Sequence, residues 1–255
     1  MIKVLSLGQV GFRLEFSEIV IYIDPYLSDS VREKEDPEIA RLKPIPIDPT
    51  SITDADWVLI THEHRDHCDI DTLLPISKSS PQCRFIGPEP VCKLLELSGI
   101  DKTKLIIARK PGFPFTLNKG LIIHVLPSAH PDIESLSDGG WRCVGYIIDY
   151  NGKKIYHAGD TSLVGEVIEQ VNVVGDIYMA MLPVNERNFM REQRGIIGNM
   201  SVREAFYFAE TMKANIVVPT HWDMFAQNQV YREEIEIIYE MMKPSFEIVF
   251  DPHVF

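Results

Sequence analysis

The densest chemistry in the chain lies in seven residues, Thr61-His62-Glu63-His64-Arg65-Asp66-His67. His62 and His64 are two positions apart, so in an extended segment both imidazoles project to the same side, as two ligands of one metal ion must. Asp66 and His67 follow in the turn ahead of an expected helix. Adjacent turn residues diverge and can reach a second, neighbouring ion, and a helix N-terminus favours the ionised form of Asp66. Three imidazoles and a carboxylate make the borderline N/O donor set that suits Zn, Mn, Fe or Co. With only 8 His among 255 residues, chance clustering is a poor account of the HxHxDH spacing. An ion held there lowers the pKa of a bound water from about 16 toward about 7 and polarises a carbonyl or phosphoryl oxygen. The chemistry expected is therefore hydrolysis without a Ser or Cys nucleophile, and no GxSxG motif occurs to suggest one.

Such a centre needs donors from elsewhere. His130 in Pro127-Ser-Ala-His-Pro131, Asp160 in His157-Ala-Gly-Asp-Thr161 and His221 in Pro219-Thr-His-Trp222 each follow an expected strand. Gathered at one edge of the fold with the first cluster, they predict a centre in which His62, His64 and His130 hold one ion, Asp66, His67 and His221 hold a second, and Asp160 bridges. Asp66 would orient the attacking water or shuttle its proton, with His67 beside it as the other catalytic residue. Arg142 and Arg194 are candidate anchors for a substrate anion, because guanidinium pairs bidentately with phosphate. Trp222 and Asn199 are candidate pocket residues, with Asn185 and Glu186 in the same polar stretch as Asn199. Glu63 and Arg65 occupy non-ligand positions and are expected to pair outward. His124 reads as structural, His157 as a core or supporting residue and His253 as a tail residue.

The elements that must position these groups change in texture along the chain. Ile2–Leu7, Phe12–Phe16 and Val20–Asp24 are closely spaced strand-like pieces that suit an antiparallel meander. A polar, Pro-rich stretch from Ser28 to Asp54 reads as a long surface loop. Thereafter strands are expected at Asp56–Thr61, Arg84–Gly87, Leu105–Ala108, Leu121–Leu126, Val144–Tyr150, Lys153–His157, Asp176–Leu182, Ile216–Pro219 and Phe246–Phe250. Asn151-Gly152 between two of these is a strong hairpin signal. Helices are expected at Asp69–Ser77, Glu89–Ser98, Leu163–Gln170, Ser201–Met212 and Glu233–Met242, with Ser201 and Glu204 forming a capping box. The mixture predicts an α/β protein with two mixed sheets face to face and helices outside. No Gly/Ser linker divides the chain, so a single domain over residues 1–255 is expected.

A net charge of −12 argues against a nucleic-acid partner or an anionic membrane surface. No apolar run approaches the ~18 residues of a membrane span. Cys68, Cys83, Cys92 and Cys143 form no CxxC pair and read as reduced, buried small hydrophobes. A cytoplasmic location is expected, and assembly into a homo-oligomer is left open.

HxHxDH, a His after a strand, Gly-Asp-Thr and a late His together resemble the metallo-β-lactamase superfamily over nearly the whole chain. That resemblance implies a four-layer αββα sandwich, and implies for Asp24, in Ile23-Asp24-Pro25, a role orienting the site. From Thr61 onward the chain also resembles the L-ascorbate-6-phosphate lactonase family, in Phe85-Ile-Gly-Pro88, Lys110-Pro-Gly112, Ile155-Tyr-His-Ala-Gly-Asp160, Arg194-Gly195 with Asn199-Met200, and Pro219-Thr-His-Trp-Asp223. The segments Pro127–Glu134 and Pro183–Arg194 depart from it, and the chain is shorter. The resemblance implies opening of a lactone of a phosphorylated sugar acid, a small anionic substrate, with Mn2+ or Zn2+ (one or two ions) and a lean toward Mn2+. The same superfamily leaves open a metal-dependent phosphodiesterase and a non-catalytic diiron or metal-binding sensor module.

Overall fold

A computed structural model describes residues 2–109, 113–118 and 120–253. Lys110-Pro-Gly112, one of the stretches that carried the resemblance, lies outside the described residues. The chain forms two compact units. The first runs to Arg109 and takes in Met224–Ala226 and the stretch from Asp251; the second runs on to Asp223 and resumes over Gln227–Phe250.

The first unit is a six-stranded mixed sheet in the order β1 (Ile2–Gly8), β2 (Gly11–Phe16), β3 (Ile19–Ile23), β4 (Trp57–Leu59), β5 (Arg84–Gly87) and β6 (Leu105–Ile107). β1, β2 and β3 are the expected antiparallel meander. From β3 to β6 the pairing is parallel, and parallel neighbours need crossovers. Helices α2 (Ile70–Ser79) and α3 (Glu89–Leu97) supply two of them. Leu73 and Ile76 of α2 and Val91 and Leu95 of α3 pack on Val58 and Phe85, all fully buried. Each such side chain contributes roughly 1.5–3 kcal/mol of burial.

The polar stretch from Ser28 to Asp54 is more ordered than its composition predicts. It contains α1 (Ser30–Lys34) and a single 3-10 turn at Pro49–Ser51. The reason is a carboxylate. Asp69 caps α2 by accepting from Asp71 N at 3.2 Å. It also accepts from the hydroxyls of Ser28 at 2.7 Å, Ser30 at 2.8 Å and Thr72. This fully buried group ties the start of α1 to the start of α2, immediately after His67 and Cys68.

The second unit is a seven-stranded mixed sheet. Its strands are β7 (Phe115–Asn118), β8 (Leu121–Pro127), β9 (Val144–Tyr150), β10 (Lys153–His157), β11 (Met179–Pro183), β12 (Ile216–Thr220) and β13 (Glu247–Ile248), and they lie side by side in chain order. β7 to β10 are antiparallel and β10 to β13 parallel. The β9–β10 hairpin turns on Asn151 (φ 53) and Gly152 (φ 86), the left-handed pair that an Asn-Gly turn requires. Helices α4 (Gly165–Val174), α6 (Val202–Thr211) and α7 (Arg232–Met242) fill the crossovers, and a short α5 (Phe189–Glu192) precedes α6. The capping box of Ser201 and Glu204 forms as expected. The expected helix from Leu163 begins instead at Gly165, because Leu163 and Val164 pack against the core ahead of it. The expected strand from Asp176 begins at Met179. No helix among the described residues is long and apolar enough to cross a membrane.

Replacing Asp69 by Ala strands the buried hydroxyl donors of Ser30 and Thr72, each costing about 1–3 kcal/mol. Asp69→Ala is expected to lower unfolding stability by on the order of 3 kcal/mol in a denaturant titration. A midpoint equal to that of the parent would contradict this account of the loop.

Candidate metal-binding site

The HxHxDH segment leaves the end of β4, and a single carboxylate fixes its course. Asp24 ends β3 in a left-handed conformation (φ 39), and its amide still donates to Leu59 O of β4 at 3.0 Å. Its side chain accepts from Thr61 N at 2.8 Å, from the Thr61 hydroxyl at 2.5 Å and from His67 Nδ1 at 2.8 Å. All three residues are fully buried. An ionised carboxylate can only accept, so Nδ1 of His67 carries the proton and Nε2 keeps its lone pair for a cation. This contact is where the orienting role implied by the resemblance for Asp24 would be exercised. Thr61 was not singled out from sequence; its hydroxyl also lies 3.1 Å from His62 Nδ1.

Within this cluster the donors are spaced for coordination. The ring of His62 lies 4.5 Å from that of His64 and 4.1 Å from that of His67, centroid to centroid. A ring nitrogen of His62 comes within 4.8 Å of one on each of them. His67 Nε2 is 3.6 Å from Asp66 Oδ2. That is too long for a hydrogen bond, but two ligands bound tetrahedrally at ~2.1 Å from one ion sit about 3.4 Å apart. A second residue that the sequence reading missed, Gln9, donates its amide Nε2 to Asp66 Oδ2 at 2.7 Å. Arg65 turns outward to Glu35 at 3.0 Å, as expected.

The second unit brings its three predicted donors together independently. His130 follows β8, Asp160 follows β10 and His221 follows β12. Asp160 Oδ2 lies 3.7 Å from His130 Nε2 and 3.3 Å from His221 Nε2, separations that two ligands of one ion would also show. All three side chains are nearly buried. Buried imidazoles packed around a carboxylate are costly unless a cation balances them, so the donor chemistry fits a metal ion. The loops are stitched to each other. The Ser128 hydroxyl donates to Ala158 O at 2.8 Å, Ala129 N to the Thr161 hydroxyl at 3.0 Å, and Ser162 N to Ala129 O at 2.7 Å. Gly159 (φ 61) and His221 (φ 61) both take left-handed backbone angles, and for His221 this is strain of the kind that binding sites retain. His157 is buried, and its Nδ1 accepts from Gly159 N at 3.2 Å, which supports the same turn.

The candidate substrate residues have varied surroundings. Arg142 is partly exposed and donates to Glu134 at 3.2 Å. Arg194 is exposed in the turn after α5. Asn199 is buried, and its amide donates to Asn185 Oδ1 at 2.9 Å. Trp222 packs edge-on against Phe250, 5.5 Å between ring centres. The cysteines are buried and free of disulfides. Burial pushes the thiols of Cys83 and Cys92 up to about 12 and raises that of Cys68 as well, so none of these three supplies a thiolate at neutral pH.

The chain belongs to the beta-lactamase superfamily: a family model described as the Beta-lactamase superfamily domain matches residues 20–222. It is 27% identical over 227 residues to a Salmonella paratyphi B protein named "Probable L-ascorbate-6-phosphate lactonase UlaG", an alignment covering 84% of this chain. The chain spans 62% of that relative's length. Among solved structures, Igni18, a metallo hydrolase from the archaeon Ignicoccus hospitalis, superposes with a TM-score of 0.70 at 24% identity, over 99% of this chain and 96% of the other. CmlA, a diiron beta-hydroxylase from Streptomyces venezuelae, superposes with a TM-score of 0.67 at 15% identity, over 100% of this chain and 54% of CmlA. The family match and the structural likeness define a chain of this superfamily with the metallo-β-lactamase fold expected from the motifs, and its His/Asp clusters are candidate metal ligands.

Asp24→Asn keeps the shape of the side chain but removes one of its carboxylate acceptors. Residues that hold a ligand imidazole typically govern affinity by 10- to 100-fold. Titration calorimetry of the metal-stripped protein with Zn2+ is expected to show a loss of about that size for Asp24→Asn; unchanged affinity would contradict the orienting role.

Proposed function

We propose that the two donor clusters act together as one catalytic centre in a single domain. His62, His64 and His130 hold one divalent ion, Asp66, His67 and His221 a second, and Asp160 lies between. The observation that carries this reading is the spacing of His67 Nε2 and Asp66 Oδ2, 3.6 Å apart, with the far side of the His67 ring fixed by Asp24. Asp160 and His221 stand at a comparable 3.3 Å.

The reaction is hydrolysis, and the substrate is a lactone of a sugar acid, in its phosphorylated form L-ascorbate 6-phosphate or a near analogue. The similarity to a protein named as a lactonase supports this choice. When bound, Mn2+ or Zn2+ supplies Lewis acidity and a nucleophilic water at neutral pH. Asp66 would orient the attacking water or shuttle its proton. His67, locked by Asp24, keeps Nε2 on the reacting side. In a lactone the leaving alkoxide stays tethered, so ring opening needs little beyond its protonation. Arg142 and Arg194 anchor the anionic end, with the phosphate displacing Glu134 from Arg142; Asn199 and Trp222 shape the pocket. The enzyme acts in the cytoplasm on a small molecule, without nucleic acid or membrane, and its homo-oligomeric state is a matter for a solution mass measurement.

A second reading, a diiron site, is favoured by the likeness to CmlA, and a visible absorption spectrum of the iron-loaded protein separates it from the first. A phosphodiesterase is separated by a substrate panel. Chelated protein reactivated with Mn2+ or Zn2+ is expected to open lactones in preference to phosphodiesters. His64→Ala is expected to lose most of its metal and activity by on the order of 100-fold or more, with its circular dichroism intact. Preference for diesters would overturn the lactonase reading. Full activity in His64→Ala would overturn the metal centre.

A further inference from the structure

Gln9 lies 57 residues before Asp66 in the chain, yet its side-chain amide reaches Asp66 Oδ2 at 2.7 Å. It occupies the tip of the β1–β2 hairpin and is 4% exposed. The hairpin tip has an unusual backbone. Gly8 (φ 88) and Gln9 (φ 55) are both left-handed, and the β1–β2 register shifts between Ser6 and Gly8. A Cβ at Gly8 would stand 2.7 Å from Met224 Cε, and one at Gly11 would stand 3.0 Å from Asp24 O, so the turn is packed closely on both sides. Left-handed positions ordinarily go to Gly, Asn or Asp, whose short side chains satisfy the local backbone. A glutamine there spends its polar end elsewhere, on a carboxylate of the HxHxDH segment.

We propose that Gln9 is the positioning residue for Asp66. This rests on the reading above, in which Asp66 and His67 serve the second ion. A side-chain amide donates to a carboxylate without adding charge. It therefore restrains rotation of the Asp66 carboxylate while leaving the full negative charge for a cation. Asp66 and His67, adjacent in sequence, are thereby each held by a separate residue of the opening meander, Asp66 by Gln9 and His67 by Asp24. The Gln9 amide donates to Asp66, so its loss is expected to fall on the second ion.

The test is titration calorimetry of the metal-stripped protein with Mn2+ and with Zn2+, comparing the parent with Gln9→Met, which keeps length and removes the donor. Expected are two binding steps in the parent. In Gln9→Met one step is unchanged and the other is reduced about 10- to 100-fold, with the metal-free melting temperature preserved. The absorption bands of the Co2+-loaded variant should shift relative to the parent, and kcat should fall with KM held. Gln9→Ala repeats the test should the thioether disturb the hairpin, and weakening of one step alone in it supports the same assignment. Two intact binding steps in a folded variant overturn the role of Gln9 and leave the proposed centre standing. A parent that binds no second ion overturns both.

Discussion

One buried carboxylate, that of Asp24, determines whether the HxHxDH segment is a loop or a ligand set. It accepts the Thr61 amide, the Thr61 hydroxyl and the His67 ring, and so fixes both ends of the segment that runs from one to the other. A group this deeply buried is tolerable only when its lone pairs are filled. Its own backbone is left-handed, a conformation that costs on the order of 1 kcal/mol and that the parallel pairing of β3 and β4 has to hold. The strain is local and the order it imposes is not. Thr61, His62 and His67 take their places from the same small network at the ends of β3 and β4, while Asp69 separately ties the start of α2 to Ser28 and Ser30.

The second unit solves the corresponding problem without a central carboxylate. Its three donors sit at the ends of three strands, β8, β10 and β12, and short hydrogen bonds between the loops set their spacing. Asp160, whose own position comes from these loops, is the carboxylate that both histidines approach, at separations that two ligands of one cation would also show. In both units the chemistry stands beyond the C-terminal ends of parallel or mixed strands, where open α/β sheets leave loops free to diverge.

Much of this was legible in the sequence because the signals were local. The i, i+2 histidines, the Asn-Gly hairpin, the Ser201–Glu204 box and the buried strand runs each state their geometry within a few residues. Asp160, His130 and His221 were legible because each follows such a strand. What was not legible depends on contacts across long separations. Nothing near Gln9 hints at Asp66, and nothing in the Ser28–Asp54 composition reveals that Asp69 would order its start. Thr61 reads as an ordinary strand end until Asp24 is placed beside it. The missed α1 and α5 are one-turn helices of 5 and 4 residues, too short for any periodicity to register. The late start of α4 reflects Leu163 and Val164 packing in extended form, a tertiary preference that outweighs their fit to a helical pattern.

The central claim is that donors from two parts of the chain converge on the same ions. Anomalous diffraction from crystals of the freshly purified protein, recorded at the Mn and Zn edges, tests it most directly. The proposed centre predicts two peaks, one within bonding distance of His62, His64 and His130 and the other of Asp66, His67 and His221. A metal held by one cluster alone, or peaks that lie away from both, would contradict it.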